Sequence, residues 1–171
     1  MGTSLMQEWS QLRCMSVLLI QSCSKSKNHL DGPVSALDLY SGYFFKIIKK
    51  AMRENVFDER IDISILSAEY GLIDAETEIE WYDRRMDSER AKELAPAVQR
   101  ELRSKVDDTY RMIIVNLGST YQLALEGLES NIRPEVYHVE GDGIGRKGHT
   151  LKKVIRGDLQ AVKPNPIAAG E

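Results

Sequence analysis

The stretch SVLLIQSCSKSKNH, residues 16–29, passes from a compact apolar run into Ser22, Cys23, Ser24, Lys25, Ser26 and Lys27. A short Val/Leu/Ile run stopped by small polar residues reads as a buried strand. A strand ending in serines, a thiol and two ammonium groups has two explanations. One is a solvated loop. The other is an anion-binding pocket at the carboxyl edge of a sheet. Three more runs share the strand character: DISIL (62–66), MIIVN (112–116) and EVYHV (135–139). Helical patterns lie between them. Tyr43, Phe44, Ile47, Ile48, Ala51 and Met52 share one helix face, as do Ala91, Leu94, Ala95, Val98, Leu102 and Val106. Ser88 is the expected N-cap of the second helix, with Asp87 its rival, and Pro96 is expected to kink it or mark a late first turn. Residues 119–128 and 150–159 read as two further helices.

Strands alternating with helices predict one α/β domain, residues 16–160, with a central, mostly parallel sheet flanked by helices. Residues 1–15 are expected to form an extension or short helix, and residues 161–171 a flexible tail.

The 171 residues are 42% hydrophobic and 29% charged, enough apolar content for a packed core and too much for a disordered chain. No apolar run approaches the ~20 residues that span a bilayer. The opening MGTSLMQEWSQLRC carries Glu8 and lacks a basic n-region, so it does not read as a secretory signal. Cys14 and Cys23 suit a reducing compartment and lack zinc-ligand spacing. A cytoplasmic protein without metal or cofactor is expected. The net charge of −3 gives no evidence for nucleic acid, but its distribution is uneven. Residues 54–93 hold 13 acids and 5 bases, whereas residues 142–163 hold six bases and two acids. That asymmetry permits one basic face on an acidic protein.

Open α/β sheets bind ligands outside the carboxyl ends of their strands. All four strands here are followed by small, polar or charged residues: SCSKSK, SAEYGLID, NLGSTY and EGDGIGRKGH. In the first, Ser22, Ser24, Lys25 and Lys27 offer hydroxyls and cations to a phosphate, without the spacing of a Walker loop. Cys23 would be a nucleophile only beside a histidine base. His29, His138 and His149 are not tied to it by sequence, so it is assigned to anion binding and packing. In ILSAEYGLIDAETEIEWYDRRM, the aromatics Tyr70, Trp81 and Tyr82 interleave with Arg84 and Arg85. This combination suits base stacking and phosphate pairing, and equally core or lid packing. Asn116 ends a strand, where it caps a turn or contacts a base edge. Ser119 caps a helix or holds an anion there. GDGIGRKGH reads as a flexible loop presenting Arg146, Lys147 and His149, either over phosphates or to solvent.

CSKSK, then DLYSGYFFK, then ILSAEYGLID with its following YD, then GDGIGRKGH, resemble a little-characterised bacterial and phage domain family. That family opens with a Cys-Ser-Lys-rich loop and carries an LSAxYGL block. The same segments, over residues 22–147, look like the YaaA-type peroxide-stress proteins, a resemblance that implies DNA binding. The longer helical insertions of those proteins are missing. MIIVNLGSTYQLAL looks like the strand–GS-aromatic–helix segment of uracil-DNA glycosylases, with SCSKSK in the place of their first catalytic loop. This implies a uracil-DNA-glycosylase-like fold. The GQDPYH-type and His-Pro-Ser loops of those enzymes are absent, so their catalytic Asp and His do not carry over. The first family is also associated with defence against phages, and is similar to an antiphage DNA glycosylase that removes glucosylated hydroxymethylcytosine.

Together these resemblances imply a DNA glycosylase acting on a modified base flipped out of duplex DNA. Asp83 is the expected water-orienting carboxylate, with Asp142 and Glu69 as rivals. Asn116 would read the base, and Tyr70 or Tyr82 would stack on it. Lys25, Lys27, Arg146 and Lys147 would hold phosphates, and Ser24 or His149 would meet a glucosyl group. The alternatives are a non-catalytic DNA-binding stress protein and a nucleoside hydrolase or deoxyribosyltransferase.

Overall fold

In a computed structural model, residues 16–106 and 109–163 are described. The first strand, β1 (Val17–Ser22), leads through a long loop to β2 (Val34–Ser35), α1 (Ala36–Leu39) and α2 (Tyr43–Arg53). Then come β3 (Ile61–Ser67), β4 (Gly71–Asp74), β5 (Glu78–Ile79) and α3 (Ser88–Val106). The chain continues through β6 (Met112–Asn116), α4 (Ser119–Gln122), 3-10 turns at Leu123–Leu125 and Glu129–Asn131, β7 (Glu135–His138) and α5 (Ile144–Ile155). A 3-10 turn at Leu159–Val162 follows.

Five strands form one sheet in the order β4-β3-β1-β6-β7. β1 pairs in parallel with β3 and β6, β6 with β7, and only the edge strand β4 is antiparallel. The expected α/β domain with a mostly parallel sheet flanked by helices is therefore present. β1 is covered on both faces, which is why its sequence is a continuous apolar run rather than an alternation. Val17, Leu18, Leu19 and Ile20 are each 2% exposed or less. Each contributes about 1.5–3 kcal/mol by burial.

The two faces can be told apart by contacts. Tyr110, just after α3, donates its hydroxyl to Asp62 at 2.7 Å, and Lys105 of α3 pairs with Asp74. Asp62 therefore points to the α3 side, so Ile61, Ile63, Ile65 and Ser67, which alternate with it along β3, face the other layer, where α2 and α5 pack together. Ile65 is in register with Gln21, and Gln21 with Asn116, so both side chains share that face. Cys23 extends the β1 ladder by donating its N–H to Leu66 O at 3.0 Å, which places it two positions beyond Gln21 on the same side.

Several boundaries differ from expectation. Asp87, not Ser88, caps α3: its carboxylate accepts the Arg90 N–H at 2.7 Å. Pro96 lies inside that helix. The helix expected over 119–128 ends at Gln122 and gives way to 3-10 turns, with Gly127 at φ 82. The helix expected over 150–159 begins earlier and ends earlier, so Arg146, Lys147 and His149 sit on α5 and not on a flexible loop. Packing outweighs the poor helix propensity of its glycines: Gly148, Leu151, Val154 and Ile155 are buried. The turn at Leu159–Val162 carries regular structure past residue 160. The expected extension at 1–15, and the tail beyond 163, lie outside the described residues.

Candidate site at the carboxyl edge between β1 and β6

From β1 the chain passes to β3 on one side, and from β3 it crosses to β6 on the other. The strand order thus reverses between β1 and β6, the kind of crevice where open α/β sheets bind ligands. The β1 exit is held by a close approach. Ser24 Oγ accepts the Gly42 N–H at 3.1 Å and donates to Ser26 O at 2.7 Å. A Cβ on Gly42 would fall 2.5 Å from Ser24 Cβ, so only glycine lets α2 start this close to the loop. This leaves Cys23 half-buried between the two strand exits, its Sγ 3.2 Å from the hydroxyl of Tyr121 on α4.

Beside it lies a ring of hydroxyls. Tyr40 donates to Ser67 Oγ at 3.1 Å, Ser67 donates to Tyr82 at 3.1 Å, and the two phenols are 2.7 Å apart. Ser67 Oγ also accepts the backbone N–H groups of Glu69 and Tyr70, at 3.2 and 3.1 Å. Burial is the main cause that holds the Tyr40, Tyr82 and Tyr121 phenols well above the usual tyrosine range, and the nearby Cys23 adds to it. All three remain neutral O–H donors at physiological pH.

On the strand floor, Asn116 is 1% exposed and donates Nδ2–H to Gln21 Oε1 at 2.8 Å. Gln21 in turn donates Nε2–H to Ser22 O at 3.2 Å, and that bond fixes which way both amides are turned. Asn116 Oδ1 is left buried without a hydrogen-bond partner. The expected open contact to a base edge is therefore not in place: the amide is tied into the sheet.

The α5 N-terminus approaches from the β7 side. Gly143, at φ 87, is its N-cap and makes no side-chain cap bond. Lys147 Nζ lies 3.5 Å from Leu117 O, just past β6. Arg146 and Asp142 face each other at 3.7 Å, both largely in solvent, and His149 is exposed. Ser119 begins α4 and is exposed, with no side-chain bond capping that helix.

The structure brings Ser22, Ser24, Asn116 and Lys147 toward the β1–β6 edge, and Tyr82 to Ser67 at the neighbouring exit of β3. Tyr82 is only 8% exposed and packs inside the hydroxyl ring, so it offers no open stacking face. Lys27 lies 4.4 Å over the Tyr82 ring and within 3.4 Å of Lys25 O, while Lys25 is exposed. Tyr70 is 41% exposed, meets the Tyr82 ring edge-on and clamps Glu80 through both its N–H and C=O. Asp83 is exposed, and its neighbour Arg84 pairs with Glu69 at 3.5 Å instead. Neither Asp83 nor Asp142 joins the hydroxyl ring. Sequence reasoning missed Tyr40, Ser67, Tyr121 and Gln21. Tyr40, Ser67 and Tyr121 lie inside the quoted DLYSGYFFK, LSAEYGL and NLGSTY blocks, but nothing in a linear motif shows that they meet.

The described residues hold no group of His, Cys, Asp and Glu arranged for a metal ion, and no helix long and apolar enough to cross a membrane. A cavity of about 610 Å³ opens at the opposite, amino edge of the sheet, lined in part by Arg60, Arg111, Arg133 and Asp158. It is remote from the strand exits, and the topology favours the β1–β6 crevice as the site.

The chain belongs to a family of unknown function, DUF6884, which its residues 17–153 match. No curated protein matches the sequence. Among solved structures, it is similar to the crystal structure of AF0587, a protein of unknown function, at 12% identity and a TM-score of 0.51. That likeness covers 82% of this chain but 44% of the other, so this chain spans less than half the length of AF0587, and it bears on the fold alone.

Proposed function

We propose that this member of a family of unknown function is a DNA glycosylase. It would cleave the N-glycosidic bond of a modified base, glucosylated hydroxymethylcytosine being the first candidate, and leave an abasic site in phage DNA within the cytoplasm. The observation that supports the reading is the gathering, around the carboxyl ends of β1, β3 and β6, of neutral phenols and the basic start of α5. Such a crevice offers hydrogen bonds to a flipped base and cations to its flanking phosphates. Asp83 directly follows Tyr82 of the hydroxyl ring and would orient the attacking water at the crevice mouth.

The test is incubation of purified protein with modified and unmodified phage DNA, then alkaline cleavage at abasic sites. Asp83→Asn should keep DNA affinity and slow single-turnover base release by ~100-fold or more. Wild-type release rates in that variant would move the role to Asp142. The runner-up, a non-catalytic DNA-binding protein, is favoured by one observation: Asp83 and Asp142 are both exposed and outside the ring. DNA binding without base release from glucosylated, hydroxymethylated or uracil-containing DNA would establish it.

A further inference from the structure

At the amino edge of the sheet the starts of β3, β1, β6 and β7 lie side by side, and residues at these starts line the cavity of about 610 Å³. Arg60 and Arg111 flank β1: the Val17 N–H donates to Arg60 O at 2.9 Å, and the Arg111 N–H to Ser16 O at 3.0 Å. With neighbouring strands ~4.8 Å apart, the two arginines leave the sheet roughly 10 Å from one another. Arg133 enters from the start of β7, one strand beyond Arg111. Residues of the segment 157–163, which follows α5, line the cavity as well. That segment is anchored at its base: the Asp58 N–H donates to Ile155 O at 2.7 Å, and Arg60 Nη2 donates to Gly157 O at 3.4 Å. The space is therefore preformed, and its volume lies in the ~300–1,000 Å³ range of small-molecule sites.

Four cations line it, Arg60, Arg111, Arg133 and Lys163, against the carboxylates of Glu135 and Asp158. Asp58 occupies Nε and Nη2 of Arg60, which leaves Nη1 without a hydrogen-bond partner among the described residues. Arg111 makes no side-chain hydrogen bond or ion pair among the described residues, and Lys163 meets only the Tyr137 ring, 5.9 Å from its Nζ. Single unpaired cations on a surface mean little, but these share one cavity. Glu135 is engaged by the Tyr137 hydroxyl at 2.5 Å, whereas the Asp158 carboxylate has no partner among the described residues. Met112 and Leu159 add apolar surface.

We propose that this amino-edge cavity binds a nucleoside monophosphate. Arg111 and Lys163, with the charge of Arg133 beside them, hold the phosphate. Asp158, on the segment anchored near Arg60, accepts a ribose hydroxyl, and the base lies against Met112 and Leu159. The volume exceeds what a bare phosphate fills, and the one open carboxylate among the cations calls for a ligand that carries hydroxyl donors as well as an anion. The site is on the opposite edge from the β1–β6 crevice, so it stands or falls independently of the glycosylase reading.

The experiment titrates the full chain with adenosine 5′-monophosphate, adenosine and inorganic phosphate, followed by calorimetry and by backbone NMR. The monophosphate should bind in the micromolar to millimolar range and more tightly than either of the other two, and it should shift the amides of Arg111 and Gly157 while leaving those of Gly42 and Gly118 at the carboxyl edge in place. Arg111→Gln and Lys163→Gln should each weaken it about tenfold or more, the scale of a lost hydrogen bond to a charged group. Both side chains are exposed and unpaired, so the variants should fold, as thermal melts will check. No wild-type binding at millimolar concentration, unchanged affinity in both variants, or shifts confined to the carboxyl edge overturns the site. Adenosine or inorganic phosphate binding as tightly as the monophosphate overturns the assignment of a nucleotide.

Discussion

Two glycines four residues apart, Gly141 and Gly145, should respond oppositely to alanine. A Cβ on Gly141 would lie 2.7 Å from Arg146 Cβ, 2.9 Å from Lys147 N and 3.0 Å from Arg146 C. Two of these are backbone atoms in the first turns of α5, so relief requires the helix start itself to move. Overpacking of this kind costs ~1–3 kcal/mol. A Cβ on Gly145 meets nothing within 4 Å, and this residue lies inside α5. There alanine should stabilise by ~0.5–1 kcal/mol, through the lower entropy its backbone loses on folding. For a domain of this size 1 kcal/mol moves Tm by ~2–4 °C. Gly141→Ala should therefore melt roughly 2–12 °C below wild type, and Gly145→Ala about 1–4 °C above it. Thermal melts by circular dichroism, with urea titrations to obtain free energies, measure both. A Gly141→Ala protein within ~0.5 kcal/mol of wild type would refute the tight approach of the β7–α5 turn to the helix.

Other consequences are open to measurement. The raised phenols of Tyr40, Tyr82, Tyr110 and Tyr121 bind protons in the folded chain that the unfolded chain has lost above pH ~10. Their contribution is intact below that pH and is lost as pH rises toward the folded values, so ultraviolet titration should show these tyrosines ionising only with unfolding. Asp58 is held below its usual range, chiefly by the hydrogen bond from Arg60. The stability it adds is present above pH ~4 and fades below, so Asp58→Asn should be less stable than wild type at pH 7 and converge with it near pH 2 in urea titrations. If α5 tracks phosphates, replacing Arg146 and Lys147 together by alanine should reduce the salt dependence of DNA binding by roughly 1–2 units of log–log slope. An unchanged slope would remove that helix from the interface.

The central strands were legible because parallel strands buried on both faces must be written as unbroken apolar runs, as VLLIQ and MIIVN are. β4 was not, since GLID is short and sits directly after a turn that reads equally well as loop. The two-residue strands β2 and β5 and the four-residue α1 are too short to carry any periodicity. The α5 start was hidden by glycines at 143 and 145, whose local preference is opposed by burial further along the helix. At the site, carboxylates and cations attracted notice because their chemistry is visible in isolation. Tyr40, Ser67 and Tyr121 matter through their distances to one another, and three segments spread over 82 residues must fold before those distances exist.

The central position of β1 also sets an order of assembly. Its first partner, β3, is 44 residues away, Val17 to Ile61, while Gln21 and Asn116 are separated by 95. At a synthesis rate of ~5–20 residues per second, β1 waits roughly 5–20 s after leaving the ribosome before its second edge can be covered. During that interval β3 can zip onto one side, but the other side remains an open, apolar template for any passing strand. The joint between β1 and β6 is thus the last central seam of the sheet to close. A nascent or truncated chain ending before Met112 would hold every residue of the hydroxyl ring and still lack the wall against which Cys23 rests.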